Sequence, residues 1–132
     1  MNNPIKYRKN NDRPKNLNLL TIRLPTPALV SILHRVSGFI LFLIIPALLF
    51  VIQMSLRSEK DFSLLKIVMD GMLVRSVLLI LFWAFWHHFF AGLRHLAMDF
   101  HLGMALEQAR FTSKVVLILS LIFTIFSLYL VC

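Results

Sequence analysis

Two runs of polar residues interrupt the long apolar stretches of this chain, and both carry imidazoles. One, SILHRVSG, holds Ser31, His34, Arg35 and Gly38; the other, WHHFFAGLRHLAMD, holds His87, His88, Gly92, Arg94, His95 and Asp99. On a helix, steps of three and four put Ser31, His34, Arg35 and Gly38 on a common side. In the second run, Ala84, His88, Ala91, Gly92, His95 and Asp99 make one stripe, with His87 about 100° away. Ionisable groups within apolar segments are costly and point first to function. An imidazole between small residues suits two tasks: closing an interhelical hydrogen bond, or ligating the iron of a haem lying flat on the Ala/Gly surface. Spacing leaves both open for His88. His34 and Arg35 either mark the end of a span, with snorkelling side chains, or supply donors to an anionic group beside a redox centre. His87 and His101 are expected at the interface, in contact with solvent.

The elements that must position these groups are apolar runs. The chain has 132 residues, 58% hydrophobic and 15% charged, with a mean hydropathy of +0.78. So small a domain cannot hide that much apolar surface in its own core. A soluble enzyme is excluded. So is a nucleic-acid partner, despite the net charge of +8. The single cysteine, Cys132, provides neither an internal disulfide nor a multi-thiolate metal site. Charge-free runs of 21, 18 and 18 residues follow Arg35, Arg75 and Lys114. A helix of about 20 residues crosses the hydrocarbon core, and these runs lack the alternation of barrel strands. The fold expected is an all-α membrane protein with three transmembrane helices, over about 29–56, 71–98 and 112–132.

Residues 29–132 then form one anchor domain, preceded by a basic arm over 1–28 that contacts lipid headgroups rather than nucleic acid. Pro25 and Pro27 mark the entry to the first span, and Pro46 inside it is expected to kink it. Residues 57–75 are expected to form a polar loop. Lys and Arg number ten on the side of the arm and the 94–114 region, against four in the 57–75 loop. That bias puts the N-terminus in the cytoplasm and the C-terminus outside. Because consecutive spans run antiparallel, His88 and Arg35 then meet at a similar depth near the cytoplasmic face.

From Arg13 onward the arm and first span, RPKNLNLLTIRLPTPALVSILHRVSG, resemble the cytochrome b556 type of membrane anchor found in succinate dehydrogenase, respiratory complex II. That family opens its first span with Ser-Ile-x-His-Arg-x-(Ser/Thr)-Gly. Its second motif, His-x-x-x-Gly-x-Arg-His-x-x-x-Asp, matches His88, Gly92, Arg94, His95 and Asp99. The resemblance implies a haem b shared with a second membrane-anchor subunit, with His88 as the axial ligand from this chain. It places His34 and Arg35 by the haem propionates, with His95 in the same pocket, and Ser31 and Arg35 at the ubiquinone site. It implies a flavoprotein and an iron–sulfur subunit as further partners, and quinone reduction coupled to proton uptake. A bacterial cytoplasmic membrane is the expected location, a mitochondrial inner membrane the alternative. Two other roles stay open: an anchor of a quinol:fumarate reductase, and a haem-free structural anchor. After Asp99 the chain reads FHLGM, and the resemblance assigns His101 no role.

Overall fold

The computed structural model describes residues 24–131. The arm expected over 1–28 therefore lies almost wholly outside the described residues, as does Cys132. Four helices and no strand occur among them: α1 (Thr26–Arg57), α2 (Glu59–Met69), α3 (Met72–Asp99) and α4 (Leu106–Val131). Three of these, α1, α3 and α4, are long and apolar enough to cross a membrane.

Helix α1 starts where the prolines allow it. Pro25 caps it in an extended conformation and Pro27 sits in its first turn, where a missing N–H costs nothing. Pro46 lies in the helix interior. The segment 57–75, expected as a polar loop, contains an additional helix. Ser58 caps α2 by accepting a hydrogen bond from the Asp61 N–H at 3.1 Å. Glu59 and Asp61 put negative charge at the positive end of the helix dipole. Eleven residues with such a start make a helix despite their mixed polarity.

Helix α3 is central, packed against both α1 and α4. Its C-terminus closes in a Schellman turn: the Leu102 N–H donates to the Ala97 carbonyl and the His101 N–H to Met98. His101 takes the left-handed position of that turn, with φ of 61°. It is exposed, as expected, and its backbone explains its place in the fold.

Helix α4 turns Ser113, Val116, Ser120 and Thr124 inward, at steps of three and four. The three hydroxyls return hydrogen bonds to their own helix, to the carbonyls of Ala109, Leu117 and Ser120. Small side chains with satisfied polar atoms let helices approach closely where lipid offers no hydrophobic drive to associate. On the far side of the same seam Trp86 Nε1–H donates to Ser127 Oγ at 2.8 Å. Its indole packs on Phe90 and Phe123. These aromatic residues pin α3 to α4.

Candidate functional site: the histidine seam between α1 and α3

Helices α1 and α3 carry the same local pattern, His-x-x-x-Gly, as His34 to Gly38 and His88 to Gly92. They run antiparallel, so each histidine lies on the other helix's glycine. A Cβ at Gly38 would stand 2.8 Å from Cε1 and 3.1 Å from Nδ1 of His88. A Cβ at Gly92 would stand 3.6 Å from Nε2 of His34. The absent side chains are what let two imidazoles enter a helix–helix seam.

Within the seam the His34 and His88 rings stack, with centroids 4.3 Å apart and planes 12° from parallel. His95 joins from the next turns of α3, its ring 5.0 Å from that of His34 and tilted by 42°. The rings pack on one another rather than converge, and no cluster of three or more metal-ligating side chains occurs among the described residues. His88 Nδ1 lies 3.1 Å from the His34 carbonyl oxygen. It also lies 3.5 Å from Ser37 Oγ, whose own O–H donates to that same carbonyl at 2.9 Å. The carbonyl can only accept, so Nδ1 carries the proton and Nε2 the lone pair. His88 makes no hydrogen bond through Nε2 among the described residues.

The remaining candidates divide by position. Ser31 is half-buried and Arg35 exposed on the first turns of α1, one helical turn apart. Asp99 is exposed at the end of α3. The fully buried side of α3 is Ala84, His87, Ala91 and Arg94, rotated from the His88 stripe because α3 must face α1 and α4 at once. His87, expected in solvent, is wholly buried and stacks on Trp83 with ring centroids 5.3 Å apart. Neither of its nitrogens has a hydrogen-bond partner among the described residues. Arg94, a charge and a motif position in the sequence, is buried with its Nε–H donating to Thr112 Oγ1 at 3.2 Å. The signal for the seam was present in the repeated His-x-x-x-Gly; no comparable signal marked His87 or Arg94.

Residues 9–127 match the succinate dehydrogenase/fumarate reductase transmembrane subunit family. The chain belongs to that family. Among its relatives, the succinate dehydrogenase cytochrome b556 subunit of Coxiella burnetii is 33% identical over 86% of this chain and 91% of its own length. That of Paracoccus denitrificans is 31% identical over 89% and 90%. The succinate dehydrogenase cytochrome b560 subunit of Reclinomonas americana is 26% identical over 88% and 84%. The resemblance read from the two motifs thus holds across most of the chain. In a transmembrane subunit of this family, the histidine seam is the feature with chemistry to offer.

Proposed function

We propose that this chain is a membrane anchor of a succinate:ubiquinone oxidoreductase, holding haem b with a second anchor subunit and forming part of the ubiquinone site. The observation that carries this reading is the state of His88: Nδ1 tied to the His34 carbonyl, the ring pressed on Gly38, and Nε2 left with its lone pair. That arrangement would suit an imidazole holding iron, since the hydrogen bond on one nitrogen fixes the tautomer and raises the basicity of the other. The residues present fit the group. Naming of the relatives as cytochrome b subunits agrees with it.

Bound haem would supply a one-electron carrier beside the quinone. His88 Nε2 would hold the iron, Ser37 and the His34 carbonyl would orient the ring, and His34, His95 and Arg35 would meet the propionates. Ser31 and Arg35, a half-buried hydroxyl and an exposed cation one turn apart near the start of α1, suit a quinone bound between this chain and its partners. Ser31 Oγ–H would donate to one quinone carbonyl. The Arg35 guanidinium would stabilise negative charge as it develops on the oxygen, before a proton arrives. Among the described residues the main apolar stretch of α1 has no buried residue, which supports a second anchor packed on it. Flavoprotein and iron–sulfur subunits would dock on the side of the N-terminus and the 100–105 turn, the cytoplasmic side by the Lys and Arg count. A bacterial cytoplasmic membrane accords with the Coxiella and Paracoccus relatives.

Optical spectra of the assembled complex carrying His88→Ala, His34→Ala or His95→Ala test the assignment. Loss of the b-type bands is expected for His88→Ala, with bands retained but shifted for the other two. An unchanged spectrum in His88→Ala overturns it and leaves a haem-free structural anchor. Two haems per complex would instead favour the quinol:fumarate reductase anchor, a reading the family's double description keeps open.

A further inference from the structure

Arg94 lies on the side of α3 turned toward α4, away from the histidine seam, and its surroundings are chemically incomplete. It stands six residues after His88, about 120° around the helix, and retains 8% of its surface exposure. Its hydrogen bond to Thr112 Oγ1 engages Nε alone. The two ion pairs among the described residues, Arg57 with Asp61 and Arg75 with Asp70, both lie elsewhere. A guanidinium withdrawn from water without a counter-charge costs several kcal/mol, so an anion belongs beside it.

The same arginine lines a cleft of about 360 Å³ between α3 and α4. Thr112 shares the polar end; Ala97, Phe111, Val115 and Leu119 are among its otherwise apolar lining. Arg94 lies five residues from the end of α3, or about 7.5 Å, on a helix about 42 Å long that exceeds the ~30 Å hydrocarbon core. With the helix centred on that core, this depth falls at the boundary between headgroups and acyl chains. From there the cleft continues along α4 to Leu119, thirteen residues and about 20 Å from the start of that helix. One cation at the headgroup boundary, over an apolar channel pointing into the bilayer, matches an amphiphile with a phosphate at its head.

We propose that the α3–α4 groove is a binding site for an anionic phospholipid. Its phosphodiester accepts hydrogen bonds from the terminal nitrogens of Arg94, and one acyl chain lies along Ala97, Val115 and Leu119. Thr112 is a positioning residue: it accepts from Nε and donates its own hydroxyl to the Ala109 carbonyl, which holds the guanidinium at the groove. A protein carboxylate would satisfy the charge but leave the apolar channel unfilled. The site is separate from the haem reading and does not depend on it.

The test uses the assembled complex with the full chain, in nanodiscs of phosphatidylcholine with and without phosphatidylglycerol, followed by native mass spectrometry. One phosphatidylglycerol per copy of this chain is expected to survive release. Retention should weaken about ten-fold or more in Arg94→Gln, as for loss of a charge-assisted contact. It should also weaken in Ala97→Trp, which fills the groove and keeps the charge, and which carries the test if Arg94→Gln does not assemble. Arg57→Gln, at the other end of the molecule, should retain lipid as the parent does. Equal retention of phosphatidylcholine, or unaltered retention in both variants, overturns the proposal. So does displacement by inorganic phosphate, which would reduce the site to a bare anion pocket. Absence of bound lipid in the parent also overturns it, and makes a partner's carboxylate the anion.

Discussion

Gly38 lies beneath the His88 ring at a distance that leaves no room for a methyl group: a Cβ there would come within 2.8 Å of Cε1. The reciprocal contact, Gly92 under His34, is looser at 3.6 Å. The seam is therefore tightest at His88, the imidazole proposed as the haem ligand.

This asymmetry predicts different outcomes for the same substitution. Gly38→Ala must displace His88 or spread the helices, at a cost of about 1–3 kcal/mol for an overpacked site. It should lower the melting temperature of the complex and weaken its b-type absorption. Gly92→Ala meets ordinary van der Waals contact and should leave both nearly unchanged. Equal effects would show that the close approach is not what seats His88.

His101 adopts a backbone conformation that disfavours every residue with a Cβ. His101→Gly removes that strain at the C-terminus of α3 and should stabilise the chain by about 1 kcal/mol, through the turn alone. Thermal unfolding should shift upward, with the spectrum and quinone reduction unaltered.

His87 keeps both nitrogens buried without partners among the described residues. Replacing it by Phe retains the packing on Trp83 and removes the unsatisfied polar atoms, so His87→Phe should be neutral or stabilising, by up to about 1–3 kcal/mol. A clear loss of thermal stability would reveal a polar contact, such as an internal water, that this imidazole needs.

Neither Ser31 nor Arg35 belongs to the stacked imidazoles of the seam, so their loss should leave the haem bound. Arg35→Gln should reduce quinone-dependent turnover by about 100-fold, the scale of one lost charge-stabilising donor, and Ser31→Ala by less. Ser31→Ala should keep the b-type spectrum of the parent and Arg35→Gln should retain the bands with a shift, and both should keep electron transfer from succinate to artificial acceptors that bypass the quinone. Loss of artificial-acceptor activity would assign these residues to assembly instead.

Much of this molecule follows from composition and order along the chain. Three charge-free runs require lipid or protein neighbours whatever the detailed packing, and the prolines at 25 and 27 mark where α1 begins. The two polar motifs bring His34, Gly38, His88 and Gly92 within reach of one another once their helices run antiparallel. Helix α2 was less legible, because the charges of 57–75 mask the capping by Ser58 and the acidic first turn.

How each helix is rotated belongs to the tertiary structure alone. Periodicity sets the angle between His87 and His88, or between His88 and Arg94, but not which of them points inward. In water that choice follows from polarity. In a bilayer, lipid tails and neighbouring helices are about equally apolar, so hydropathy does not distinguish the faces and close packing decides. The small inward side chains of α4 and the glycines of the α1–α3 seam draw α3 into an orientation that buries His87 and Arg94, and that packing leaves the His88 Nε2 lone pair without a partner among the described residues.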